Sequence, residues 1–479
     1  MRRAARAAVL AVAAAGAAAG AAAAAGAPAD TPGDAALRDL GDAYRGYLGE
    51  ALTVARSTAY VRRAALARGF RAASVAETKR YAPGDRLVFA NDERSVYVVV
   101  IGSRPVAEGV RLVGTHQDTP SLILEPFPLR APKDGAGVAR LLAHAYGGVK
   151  SYHYDRRPLA IVGDVRRAAD GARVEVSLGL GADGFAFSGT KLDTDPRWDD
   201  APPPRKELYE ILAASAPMTG SGVKSPLALT VLRALYDRYG LAEDDLGAAK
   251  LYVVPAEGPR DVGLDRLLVG AWGQDDRLNS YAAMRAAIGI EGVPPFTAIA
   301  VLSDREEIGS SGSSGMRSEF FELLAARLLE GTGGPDGDAA LRTAFARSRA
   351  LSADTPAAVD PIFPEVHEPR NAARLGMGPA LYKFTGRGGK SGGSDADVTM
   401  VARVKRIFAA AGIPLQTTEL GRVDEGGGGT IARYLAMRGF EIVDVGAAVV
   451  SMHSPLELSH KRDLWWAIKG YRAFLVSAE

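Results

Sequence analysis

Short apolar runs recur along the chain, and several of them stop at a histidine or a carboxylate. Residues 110–113, 296–302 and 441–450, with a shorter run ahead of Asp354, have the length and β-branched content of buried strands. Residues 86–90 and 95–101 flank a turn at Asn91-Asp92 and predict a hairpin. A helical period runs through 35–68, 280–290, 320–329, 398–411, 430–437 and 461–474. Strands alternating with helices from residue 267 onward predict an α/β fold with a mostly parallel sheet. Residues 125–258 break that rhythm. They carry short β-like runs at 159–162 and 174–178, then a Pro-rich polar stretch at 193–205, and predict a β-rich insertion. The expected division is 35–124 and 259–479 for the main domain, with 125–258 inserted between them. No internal repeat is visible.

In an α/β sheet, side chains gather beyond the carboxyl ends of the strands. Five segments place ligand-type residues there: Gly114-Thr115-His116-Gln117-Asp118, Gln274-Asp275-Asp276-Arg277, Asp304-Arg305-Glu306-Glu307, Leu351-Ser352-Ala353-Asp354 and Ser451-Met452-His453-Ser454. Four follow an apolar run, and Asp275 stands ahead of the helix predicted at 280–290. Two histidines and three carboxylates meeting in one pocket suit two divalent ions such as zinc, manganese or cobalt.

Composition narrows the picture. A chain of 479 residues, 47% hydrophobic and 24% charged, holds two domains or one with a large insertion. Its net charge of +2 owes three of 58 basic side chains to Arg2, Arg3 and Arg6; the remaining 55 face 56 acidic ones. That balance argues against a nucleic-acid or membrane-surface partner. The absence of cysteine excludes disulfides, thiolate ligands and cysteine nucleophiles. The basic start and the Ala-rich run to Ala25 have the charged and apolar regions of a signal peptide. Residues 1–27 are therefore read as a leader and the protein as exported, periplasmic or secreted, with a cytoplasmic location as the alternative. Alanine is a weak spanning residue, so no stable membrane span is expected.

The chemistry follows from residue types and spacing. His116 and Asp118, two apart on a strand exit, project to one face. The imidazole is suited to ligation, and the carboxylate to holding its other ring nitrogen. A buried His–carboxylate pair is the blander reading of that spacing alone. Asp275 and Asp276 repel one another unless a cation is present; an N-cap for the following helix is the alternative for Asp276. Of the neighbours Glu306 and Glu307, one can ligate while the other stays free to take a proton. His144, His153 and His460 read as structural. Gly389-Lys390-Ser391 looks like the end of a phosphate loop, but the required first glycine falls at Phe384, so phosphate binding is set aside.

From about residue 37 to the end, the chain resembles the M18 family of metalloaminopeptidases, which includes aspartyl aminopeptidase and the aminopeptidase I type. The resemblance rests on Tyr146-Gly147-Gly148-Val149-Lys150, Gly273-Gln274-Asp275-Asp276-Arg277, residues 383–397 and 421–430, and Ser451-Met452-His453-Ser454-Pro455. It implies a zinc-peptidase catalytic domain interrupted by a dimerisation and assembly domain, with dimers building a dodecamer. It implies a peptide substrate cut at its N-terminus. His116, Asp275 and Asp354 would hold one ion and Asp275, Glu307 and His453 the other, so that Asp275 bridges and Asp276 is structural. Glu306 becomes the general base on a metal-bridging water, with Asp118 supporting His116. His367, in Pro364-Glu365-Val366-His367-Glu368, and Lys383 are assigned to the substrate pocket, and Lys383 and Lys390 flank a loop suited to an acidic substrate side chain. Members usually carry a Pro-His-Leu motif whose histidine reaches a neighbour's active site. None is found between Ser177 and Pro203, where the local text is Ala186-Phe187-Ser188-Gly189-Thr190. An M42-type peptidase or an amidohydrolase of acylated amino acids is the alternative enzyme; a non-catalytic assembly protein is the alternative class.

Overall fold

The computed structural model describes residues 32–132, 137–155, 157–183, 185–189, 209–218, 225–383, 385–386, 391–419 and 427–479. The expected leader, the Pro-rich stretch at 193–205, Lys390 and residues 421–426 lie outside that set. Among the described residues, a nine-stranded sheet runs in the order Arg71–Ala72, Arg86–Asn91, Ser95–Val100, Thr297–Ser303, Val110–His116, Arg349–Ser352, Glu441–Gly446, Ala380–Tyr382, Gln416–Thr418. Its centre is parallel: Thr297–Ser303, Val110–His116, Arg349–Ser352 and Glu441–Gly446 all point the same way. The hairpin Arg86–Asn91/Ser95–Val100 and the strand Ala380–Tyr382 add antiparallel pairings on either side. Ser303 pairs with His116 and Ser352 with Gly114, so the metal-type segments leave the sheet at one edge.

The central strands are buried on both faces because helices cover each side. Helices Gln274–Ile288, Val398–Ala410 and Lys461–Leu475 cover one face through Leu278, Tyr281, Phe408, Trp466 and Tyr471. Phe320–Gly331, Asp338–Ala346 and Ala432–Met437 cover the other through Phe321, Leu328, Phe345 and Leu435.

Three of the expected elements take a different form. The helix expected over 35–68 is two, Asp34–Glu50 and Val54–Leu66. Thr53 starts the second by accepting from the Arg56 amide at 3.3 Å, an N-cap that favours a break there. The run 441–450 divides into Glu441–Gly446 and Val449–Val450, which join different sheets. The chain passes Asp354 so closely at Gly446 that a Cβ there would lie 1.8 Å from the Asp354 carbonyl oxygen. The helix expected at 280–290 begins earlier, at Gln274, but Asp275 (φ −82°, ψ 111°) and Asp276 (φ −110°, ψ 29°) are not helical, and the peptide between them is cis.

A seven-stranded antiparallel sheet takes the order Arg173–Leu178, Leu159–Arg166, Ala249–Pro255, Ser121–Arg130, Ala139–Tyr146, Tyr209–Ala214, Ser188–Gly189. It has its own apolar core, against which the helix Pro226–Tyr239 packs through Val231 and Leu235. A third, four-stranded sheet pairs Leu268–Ala271 with Glu457–His460 and brings the start of the Gln274 helix beside the His453 loop.

Candidate metal centre

The five segments converge. Ligand atoms of His116, Asp275 and Glu307 lie within 4.8 Å of one another, as do those of His116, Glu306 and Asp354 and those of Asp275, Asp276 and Asp354. Asp275 stands between the two imidazoles, with Oδ1 3.6 Å from His116 Nε2 and Oδ2 3.1 Å from His453 Nε2. His116 Nε2 also has Glu306 Oε2 and Asp354 Oδ1 at 3.9 Å, and His453 Nε2 has Glu307 Oε1 at 3.5 Å.

A layer of hydrogen bonds holds these groups. His116 Nδ1 meets the Asp118 backbone carbonyl at 2.9 Å and its carboxylate at 3.4 Å. The nearer contact is thus the main chain, and the Asp118 carboxylate has further work. Its Oδ1 accepts from the Glu306 amide at 3.0 Å, while Oδ2 accepts from the Glu307 amide at 3.2 Å and from the Tyr146 hydroxyl at 2.9 Å. Asp276 Oδ2 accepts from the His116 amide at 3.2 Å, and its Oδ1 accepts from Asn279 Nδ2 at 2.7 Å and Thr355 Oγ1 at 2.9 Å. That set of bonds gives Asp276 a fixing role across three segments. Arg277, also buried, donates to the carbonyls of Gly273 at 2.6 Å and Ala51 at 2.7 Å, locking the turn that presents Asp275.

The electrostatics call for a cation. Burial pushes Asp276, Glu307 and Asp354 well above the ordinary carboxylate range. Burial, reinforced by Asp118 and Asp275 and opposed by His116, takes Glu306 to about 7. Burial opposes ionisation of Asp275 as well, but the adjacent imidazoles of His116 and His453 outweigh it and hold this carboxyl below the usual range. Asp275 Oδ1 and Glu307 Oε1 are buried without a hydrogen-bond partner among the described residues. Unpaired buried carboxylate oxygens beside imidazole nitrogens form a donor set that fits divalent zinc and its neighbours.

Comparison with known proteins decides the family. The model of the aminopeptidase I zinc metalloproteases (M18) matches residues 47–179 and 199–475. The M18 family aminopeptidase 1 of Borrelia garinii subsp. bavariensis is 35% identical over 445 residues, 91% of this chain and 95% of its own length. The chain belongs to the M18 family. It is accordingly a metalloaminopeptidase, a hydrolase. The crystal structure of the Thermotoga maritima M18 aminopeptidase superposes with a TM-score of 0.84 at 31% identity, covering 92% of this chain and 96% of that one. A yeast aminopeptidase 1 dodecamer, at 20% identity, shares the fold with a TM-score of 0.73 over 91% of this chain and 96% of its own.

Within this M18 chain, His116, Asp118, Asp275, Glu306, Glu307, Asp354 and His453 come together. His367 does not join the ligand cluster: its Nε2 accepts from the Asp360 amide at 3.2 Å inside its own loop. Lys383 follows the strand Ala380–Tyr382 with an exposed side chain, and its carbonyl accepts from the Ala396 amide at 2.8 Å. Four residues that shape the site carry no role in the sequence expectation. Tyr146 lies within a quoted motif, yet nothing local announces its bond to Asp118. Gly147 and Gly148 bring the seven-stranded sheet against the site, where Cβ atoms would meet Glu307 Cβ at 3.2 Å and His453 Nδ1 at 3.0 Å. Glu457, wholly buried, accepts from the backbone beneath both Asp275 and His453. His153, read as structural, forms a hydrogen bond to the His453 backbone, while burial lowers its pKa.

Proposed function

We propose that the chain is a two-metal aminopeptidase that removes the N-terminal residue of peptides. The observation that carries this reading is Asp275, one carboxylate whose two oxygens face different imidazoles. His116, Asp275 and Asp354 would hold one ion and Asp275, Glu307 and His453 the other, with zinc the expected metal and cobalt or manganese the alternatives. Such a pair, when bound, supplies Lewis acidity to the scissile carbonyl and acidifies water. The remaining work falls to side chains. Glu306 has its Oε2 3.9 Å from His116 Nε2 and is assigned to neither ion, which leaves its carboxylate for proton transfer. It takes a proton from the attacking water and returns it to the departing amine. The new C–O bond forms at the carbonyl carbon first, the peptide C–N bond then breaks as the amine takes the proton, and one water is consumed. Asp118 fixes Glu306 and Glu307 through their amides and steadies His116.

Lys383 is assigned to an acidic side chain at the substrate's N-terminus and His367 to the pocket wall. The seven-stranded sheet is assigned to self-assembly, through dimers toward a dodecamer like that of the yeast relative. Residues 1–27 are assigned to export. Among the described residues no helix is long and apolar enough to cross a membrane.

A panel of aminoacyl reporter substrates, with free and N-acetylated amines, tests the reading on protein whose metal content is measured in parallel. Turnover is expected only with the free amine. Preference for the acetylated series would move the chain to the amidohydrolases, and silence of a metal-loaded sample would make it an assembly protein.

A further inference from the structure

We propose that Glu457 is a positioning residue that sets the separation between the metal-ligating segments at Asp275 and His453. The proposal rests on the two-metal reading above and assigns a role that the ligand set does not include. Glu457 opens the strand Glu457–His460 and lies opposite Ala271 in the four-stranded sheet, three residues ahead of Gln274. It is wholly buried. Its Oε1 accepts from the His453 amide at 2.6 Å. Its Oε2 accepts from the Asp275 amide at 3.1 Å and also from the Gln274 amide. The two residues whose backbones this carboxylate joins are those whose side chains meet at 3.1 Å. One buried carboxylate therefore ties the ligand side chains together from behind, through their main chains.

Two features explain why a carboxylate is needed. Three N–H groups converge on this side chain, and a carboxylate meets them with acceptors on both oxygens where an amide would present a donor. His453 is also held at φ +63° and Ser451 at φ +61°, a left-handed conformation that non-glycine residues keep only when their surroundings fix it. The Glu457 bond to the His453 amide supplies that constraint. Gln274 is pinned in turn: its Nε2 donates to the Glu457 carbonyl at 2.6 Å and the Val269 carbonyl at 3.0 Å, and its Oε1 accepts from Tyr44 at 3.1 Å and Ser459 at 2.5 Å. The clamp is thus anchored in the core. Outer groups that orient ligands typically change metal affinity or activity by about 10–100-fold when lost.

The test compares wild type with Glu457→Gln by metal titration, by the visible spectrum of the cobalt(II)-loaded protein and by kcat and KM at saturating metal. An amide cannot accept on both sides, so one N–H must face a donor. We expect E457Q to keep its size in solution and its far-UV circular dichroism. It should bind its weaker ion roughly 10–100-fold less tightly, show an altered cobalt spectrum and lose kcat with KM little changed. If E457Q does not fold, Glu457→Asp, which keeps the charge but shortens the reach, is put through the same measurements with the same expectation. Wild-type protein that binds two ions, matched by either folded variant in affinity and cobalt spectrum, overturns the positioning role. Wild-type protein that binds no pair of ions overturns the two-metal reading, and this role with it.

Discussion

The hydroxyl of Tyr146 donates to Asp118 Oδ2 at 2.9 Å, and that bond joins the seven-stranded sheet to the residue that steadies His116. Tyr146 is the last residue of the strand Ala139–Tyr146, and Asp118 lies just beyond the end of Val110–His116. The two sheets thus meet at the metal centre itself. Removing the hydroxyl leaves Oδ2 with the Glu307 amide as its remaining donor. Tyr146→Phe is expected to keep the fold and to lower metal affinity or kcat about tenfold. Metal titration and kinetics on the purified variant check this; wild-type values for both would show that the contact does not bear on the site.

Gly446 supplies a stability prediction. An added methyl group would lie 1.8 Å from the Asp354 carbonyl oxygen and 3.0 Å from Pro356 Cδ, so two backbones would have to part. Gly446→Ala should cost roughly 3 kcal/mol or more and displace Asp354, weakening metal binding as well. Urea unfolding of apo protein measures the first effect and metal titration the second. A midpoint close to wild type would mean that the passage is looser than this geometry.

His460 gives a pH dependence remote from the metal ligands. Its Nδ1 accepts from the Arg462 amide at 3.1 Å and caps the helix Lys461–Leu475, a bond that needs neutral imidazole. Burial, aided by the positive charge of Arg462, lowers its pKa to about 4. The unfolded chain then binds a proton below about 6.5 that the folded chain refuses until about 4. This residue's contribution is therefore complete above pH 6.5 and lost as pH falls toward 4. His460→Asn keeps a good cap and removes the titration. Its melting temperature should fall less than that of wild type between pH 6.5 and 4.5; parallel losses would contradict the assignment.

Much of the site is legible in the sequence because each ligand ends or closely follows a local signal. His116, Glu306, Glu307 and Asp354 lie at the ends of apolar runs, and a parallel sheet gathers such ends at one edge. His453 also follows such a run, whereas Asp275 precedes a helix, and nothing local brings the two together. What joins them is the four-stranded sheet, which pairs Ala271 with Glu457 across a long stretch of chain, and no periodicity in a window of a dozen residues records that pairing. Glu457 looks like any glutamate before an alternating strand. Tyr146 is hidden for the same reason: its partner, Asp118, belongs to a different sheet. The helix Asp338–Ala346 is missed because it is short and Ala-rich, with few apolar residues to mark a face.

Specificity has its own test. If Lys383 pairs with an acidic N-terminal side chain, Lys383→Ala should lower the ratio of aspartyl to leucyl turnover severalfold and leave leucyl turnover near wild type. An unchanged ratio would remove Lys383 from the pocket.

The division between ligation and proton transfer is the central claim, and Glu306→Gln tests it most directly. The variant keeps the size of the side chain and every assigned ligand. Metal content and turnover measured on one preparation should show two ions per chain, with a rate about 10²–10⁴-fold below wild type. Loss of the ions, or a rate near wild type with both ions bound, would contradict it.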